Sequence, residues 1–594
     1  MTAMGAEQIS VNEAVEKLAE EKSWLKLLHY KKNTFGGYKG LIENSEFYIT
    51  KEGNVDPKKE MEEEIAAFSQ GLQKCEFPAR FNWLQERNLV QGNLDDCKEY
   101  QQFINDIRPK SITLLFTDAY MSNPASLFGH TLIRVDTARK GTQMLAHGAN
   151  FGANSGSDTG VIFALKGLFG GYMGSYQISP YWNIINTYNN IENRDIWEYK
   201  LNLSNKETIS FINHLYEMKN AQVQYFFLSK NCSYMLLELL EAVRPNLDLT
   251  SKYTIWAIPL DTLKTINNIP NLVENVNYRP ARYTKIQAQL HGMNEQQYEQ
   301  FIQFIKKKNN NLDNLPATEQ VELLSTAYEY YQYEYIIKNL PLKEYRRESF
   351  DVLRKRSQMA QVEEKKLSGE NPLYSHNSAH VSLGGGVKHH KSYELITLSP
   401  AYTSFTDDNY GMIRGAGVNV LENQWRYYNQ KHKFVLQYIT GLEITSLVPA
   451  DRIFKPYSYV TDFNIHREFN PQTDAEGYVL SGRFGMGQTY DIAQMFWLYG
   501  ILGVSGQYGG FIPGNQWGGV SPEIGVFKDW NIVRFWGGVE KIYASRIFAD
   551  RTVYKTGISV NFSRNIFLNL SYSYSRNKKG HNWDQSEVAI KYYF

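Results

Sequence analysis

A chain of 594 residues is too long for a single hydrophobic core, so about two to four domains are expected. Its 63 Lys and Arg nearly balance 62 Asp and Glu, and a net charge of +1 leaves no electrostatic footprint for nucleic acid. No stretch reaches the roughly 18 uncharged apolar residues that a spanning helix needs. The longest apolar patch, 160–173, is glycine-rich and interrupted by Lys166.

The opening residues, MTAMGAEQIS, lack the basic and apolar regions of a secretory signal, so export implies that this chain is a mature or expression form. Residues 8–105 read as a helical segment. Apolar positions recur at helical steps from Val11 to Tyr30, and Asp56-Pro57 opens a second helix running to Leu72, acidic in its first turns. CEFPARFNWLQ then breaks the pattern, and nothing in the segment indicates chemistry.

Over 106–283 the period changes. SITLLFTDAY, GHTLIRVD and TQMLAHGANFGAN read as strands, the first two joined by the proline turn SNPAS. A glycine-rich run and NIENRDIWEYKLNL lead to a helix over Asn205–Lys219. VQYFFL then delivers KNCSYMLLELLEAV, where Leu236, Leu237, Leu239, Leu240 and Val243 recur at helical spacing and Pro245 ends the run. The expected core is a small antiparallel sheet carrying His130, with a helix carrying Cys232 packed against it.

Residues 284–374 form a polar, helix-rich spacer of two or three amphipathic helices. Its basic cluster Arg354–Arg356 reads as a solvated face, with contact to anionic lipid as the alternative. Over 375–594, alternating segments such as KFVLQYITGLEI, FWLYGILGVSGQYG and IFLNLSYSYSRN are separated by turn residues. About twelve such strands, with aromatics near their ends, match an outer-membrane barrel, apolar outside and polar inside. The final strand, ending on Phe594, resembles the terminal recognition signal of such barrels. The alternative is a soluble sandwich or lipocalin-like barrel. The fold class is therefore multidomain α+β plus membrane all-β, in a Gram-negative outer membrane with the N-terminal domains in the periplasm. That compartment is oxidising, so a Cys75–Cys97 disulfide with Cys232 free is expected over three buried thiols in a cytosolic protein.

Cys232 at the start of a helix meets unpaired N–H groups and the positive end of the dipole, which hold a thiol below its free pKa of about 8.5. His130 is the candidate base. Gly129 leaves its ring accessible, and His147 or Asn150, one strand later, suits the third position of a triad, with His147 favoured. The bland reading of His130 is a packed strand residue. An oxyanion would meet the Cys232 backbone N–H, with Asn231 or Ser126 in support. His389-His390 read as an exposed turn, Cys75 and Cys97 form no Cys-x-x-Cys pair, and neither Gly36-Gly37 nor Gly170-Gly171 has phosphate-loop spacing. No metal and no cofactor are implied.

NPASLFGHTLIRVD, NIENRDIWEYKLNL and FFLSKNCSYMLLELLEAVRP together resemble the Lnb N-terminal periplasmic domain family, over roughly residues 110–250. Its members are similar to permuted papain-like hydrolases and acyltransferases, including lecithin–retinol acyltransferase, in which the histidine precedes an Asn-Cys pair opening a helix. His130 and Asn231-Cys232 stand in that order. The resemblance implies a thioester intermediate on Cys232 and phospholipid, lipoprotein or peptide substrates, since a family member is understood to N-acylate lipoproteins. Two further readings are a cell-wall peptide or lipid hydrolase using the same pair, and a non-catalytic transport or assembly barrel with a periplasmic plug.

Overall fold

A computed structural model describes residues 14–34, 36–119, 128–139, 143–158, 160–308, 311–359, 366–407, 410–470, 475–510, 514–547, 549–578 and 582–594. The chain forms two units, Met1–Gly369 and Glu370–Phe594.

In the first unit the helix expected over Val11–Tyr30 is interrupted. Helix α1 is Lys22–Leu27, and His29, with φ 56°, turns the chain out of it into a short strand at Tyr30–Lys32. Helix α2, Pro57–Ser69, starts as the sequence predicts: the Asp56 carboxylate accepts from the N–H groups of Lys58 and Lys59 at 3.1 and 3.0 Å, with proline in the first turn. Helices α3, Pro78–Gln85, and α4, Lys98–Ile107, follow. Cys75 and Cys97 are joined in a disulfide.

The next elements are β1, Pro109–Thr117; β2, His130–Thr137; β3, His147–Ala153; α5, Gly160–Leu168; β4, Tyr172–Pro180; and β5, Ile196–Leu201. They continue with α6, Asn205–Glu217; β6, Val223–Tyr225; α7, Cys232–Val243; and β7, Val273–Arg279. The seven strands make one antiparallel sheet in the order β6-β4-β3-β2-β1-β5-β7. Helix α7 packs on β2 and β3, with Met235, Leu237 and Leu239 fully buried, and α6 packs on α7 and β1. The helical segment is tied to these helices through buried charge. Arg80 of α3, fully buried, lies 2.9 Å from Glu64 of α2 and 3.6 Å from Glu217 of α6. Glu238 of α7 pairs with Lys31 and His29.

The spacer holds four helices among the described residues, Arg282–Gly292, Glu295–Ile305, Ala317–Ile336 and Leu342–Ser357, rather than two or three. The extra break is at Asn294, whose side chain accepts from the Gln297 N–H in a capping box and so starts a new helix.

In the second unit twelve antiparallel strands are described. Two are interrupted: Lys391–Ser399 continues as Ala401–Thr403, and Ala416–Val420 continues as Asn423–Tyr428. The first strand, His380–Lys388, pairs with the last, Asn582–Tyr593, which closes the barrel. Large apolar side chains cover the outer face as well as filling part of the interior. In Phe496–Tyr508, Leu498, Leu502 and Val504 are exposed, whereas Trp497, Tyr499 and Ile501 point inward. Charges are paired on the inner face, among them Arg483 with Glu523 at 2.7 Å and Lys591 with Asp407 at 2.7 Å. An apolar exterior around a charged interior suits hydrocarbon, and it sets aside the soluble alternative. Among the described residues no helix is long and apolar enough to cross a membrane.

Candidate active site

The site is built where β2 begins and α7 begins. Gly129 precedes His130 with φ +81°, and a Cβ there would lie 2.7 Å from the Phe116 ring. Glycine is thus required for the chain to enter β2 with His130 at its head. His130 pairs with Thr117 of β1 and is buried. Asn231 caps α7: its Oδ1 accepts from the N–H groups of Ser233 and Tyr234 at 3.1 and 3.2 Å, placing Cys232 in the first turn.

His130 lies against Cys232, close enough for its imidazole to act on the thiol. On the far side of the ring, Nε2 lies 2.8 Å from Asn150 Oδ1. An amide oxygen only accepts, so Nε2 carries a proton toward Asn150, and Nδ1 is the ring nitrogen left to exchange a proton with the thiol. Burial pushes the Cys232 thiol up, but the adjacent His130 imidazole, by charge and by hydrogen bond, and the Thr131 N–H and hydroxyl pull it down from 9.0 to about 7. The Thr131 Oγ1 lies 3.8 Å from Sγ.

Asn150, rather than the favoured His147, therefore holds the imidazole. His147 is three residues away on β3, an odd number of steps, and so projects to the other face of the sheet, where its buried Nδ1 has no hydrogen-bond partner. Burial, reinforced by Arg139, lowers its pKa. Asn231 does not supply an oxyanion donor. Both hydrogens of its amide are donated to carbonyls, of Phe227 at 3.0 Å and Ala257 at 2.7 Å, so its part is to hold the head of the helix. Ser126 lies outside the described residues.

The site is completed by two tyrosines that the sequence does not single out as functional. Tyr225, at the end of β6, sets its hydroxyl against the backbone and the thiol of Cys232. Tyr188, in a π-helical turn over Ile185–Ile191, stacks on the His130 ring with centroids 5.6 Å apart. The Arg194 guanidinium lies 5.3 Å from the Tyr188 ring centre and is itself held by the carbonyls of Thr117 and Asp118. The imidazole is thus fixed by Asn150 at its edge and by Tyr188 on its face.

Fold and site together define a class: a membrane β-barrel carrying a domain with a paired cysteine and histidine. Residues 99–268 match the family model described as the Lnb N-terminal periplasmic domain. Residues 16–87, 276–366 and 369–593 match three models described as domains of unknown function. No curated protein matches. Among solved structures, the NanC porin in a rhombohedral crystal form is 9% identical, covering 36% of this chain and 100% of that one, with a TM-score of 0.24. The translocator domain of the autotransporter NalP from Neisseria meningitidis is 14% identical, covering 36% and 87%, with a TM-score of 0.22. The transport unit of the autotransporter AIDA-I from Escherichia coli is 10% identical, covering 40% and 93%, with a TM-score of 0.22. The chain joins a periplasmic domain of the Lnb type to an outer-membrane β-barrel.

Proposed function

We propose that the chain is an outer-membrane acyl-transfer enzyme acting in the periplasm through Cys232 and His130. The observation that carries this reading is His130 held at Nε2 by Asn150 and set against Cys232, whose thiol is drawn to about 7. A structural cysteine in an apolar core has its pKa raised instead.

In the reaction, His130 Nδ1 takes the thiol proton and Sγ attacks the carbonyl carbon of a phospholipid ester. The donors we assign to the resulting oxyanion are the Cys232 N–H and the Tyr225 hydroxyl beside it, both released when Sγ turns to the substrate. As the carbonyl re-forms, the carbon–oxygen ester bond breaks and the lysolipid oxygen leaves with the imidazolium proton, leaving the acyl group on Sγ as a thioester. An amine, such as the terminal cysteine of a lipoprotein, then attacks the thioester; its proton passes through His130 to the departing sulfur. Water in place of the amine gives hydrolysis.

The test is the intact mass of the full chain after incubation with phospholipid, compared with Cys232→Ala. A gain of one fatty-acyl mass that hydroxylamine removes, absent from the variant, is expected. Unmodified protein with unchanged lipid would count against acyl transfer and in favour of peptide hydrolysis by the same pair or of a transport or assembly role.

A further inference from the structure

The glycine-rich apolar patch that is too short and too interrupted to span a membrane folds as α5 and the start of β4, and one face of α5 is exposed among the described residues. Ile162, Leu165 and Phe169, at steps of three and four, share that face and are 59%, 51% and 78% exposed. The opposite face is seated: Phe163 packs on Phe227 with ring centroids 5.1 Å apart, and Gly167 lies so close to the Phe227 ring that a Cβ would fall 2.1 Å from it. Phe227 in turn leads to the nucleophile. Its N–H donates to the Gly167 carbonyl at 2.8 Å, and its own carbonyl accepts from the Asn231 side chain that caps the Cys232 helix. The exposed face therefore stands at the thiol end of the domain.

We propose that α5 with Phe169 is an interfacial anchor: Ile162, Leu165 and Phe169 enter the acyl layer of a phospholipid surface and hold the Cys232 end of the domain against lipid esters. This deepens the acyl-transfer reading by naming the surface on which Cys232 works, and it rests on that reading. A bilayer is the occupant for two reasons. The first unit ends at Gly369 and the second, a barrel with an apolar exterior, begins at Glu370, so the domain is always tethered to lipid and three apolar side chains act at high effective concentration. Beside the apolar face, Lys166 is half-exposed and paired with Asp158 at 2.7 Å, the polar margin that an interfacial helix sets among headgroups.

The test uses the full chain in vesicles of phosphatidylethanolamine and phosphatidylglycerol, in a Cys232→Ser background so that an added cysteine is the sole free thiol. Leu165→Cys, carrying a fluorophore, should be quenched several-fold more by lipids with nitroxide on the acyl chain than by a water-soluble nitroxide. Lys206→Cys, at the exposed start of α6, should show the reverse. Equal aqueous quenching at both positions overturns the proposal, because the face then stands in water. Shielding of position 165 from both quenchers also overturns it, because protein then covers the face. These outcomes do not depend on catalysis, so failure of the acyl-transfer reading is seen separately. In the otherwise wild-type chain, Phe169→Glu should reduce acylation by bilayer phospholipid about tenfold and leave alkylation of Cys232 by iodoacetamide unchanged.

Discussion

The barrel and the Cys–His domain hold polar groups away from water in opposite ways. In the barrel, polarity alternates residue by residue, and ion pairs such as Arg483–Glu523 and Arg426–Glu587 are distributed around the inner face. Each strand repeats the arrangement of its neighbours. In the first unit the buried charge is gathered into a few clusters, with Arg80 facing Glu60, Glu64 and Glu217, and His130 between Asn150 and Cys232. Distribution makes a structure tolerant of single changes. Concentration makes it sensitive to them, and it is what general-base catalysis requires.

The largest effects should therefore fall on the first unit. Removing the base, His130→Ala, should lower acylation of Cys232 by roughly 10²–10⁴-fold. It should also move the midpoint of iodoacetamide alkylation upward from about pH 7, because the thiolate is lost as pH falls through the thiol pKa and the imidazole that depresses it is gone. An unchanged midpoint would show that the pair is not coupled. Arg80→Met leaves carboxylates buried without their cation and should cost about 3–5 kcal/mol in thermal or denaturant unfolding of the first unit. A cost comparable to that of a barrel substitution would erase the contrast drawn above.

Smaller losses should grade the supports of the imidazole. Asn150→Ala removes one buried hydrogen bond, about 1–3 kcal/mol, and should slow single-turnover acylation roughly 5- to 150-fold. His147→Ala, on the other face of the sheet, should leave that rate alone. Tyr188→Leu should slow it about 2- to 12-fold and shift its pH profile, while Tyr188→Phe, which keeps the ring, restores both. At the far end of the scale, Leu502→Ile on the outer face of the barrel should change stability by less than about 0.5 kcal/mol.

The barrel and the Cys232 helix were legible in the sequence because each rests on a local period, two in the strands and about 3.6 in KNCSYMLLELLEAV. The partner of His130 was not. Asn150 and His147 lie on the same strand, and choosing between them needs the register that sets Ile133 opposite Ala149, which no single strand contains. Tyr188 was less legible still, since its approach to His130 depends on a π-helical turn with no compositional mark. Tyr225 alone left a trace, as an alternating aromatic in VQYFFL, but its distance from Cys232 is set by a sheet edge and a helix cap together.

Closure of the barrel gives one strand an importance beyond its length. His380–Lys388 is hydrogen-bonded on one side to Lys391–Ser399 and on the other to Asn582–Tyr593. Without Asn582–Tyr593, both His380–Lys388 and Ile566–Asn577 would turn an open rail of amide and carbonyl groups toward hydrocarbon, at several kcal/mol for each unsatisfied group. A chain lacking that strand cannot settle in the bilayer as a slightly narrower barrel. Insertion is in this sense all-or-none, and it waits on Asn582–Tyr593.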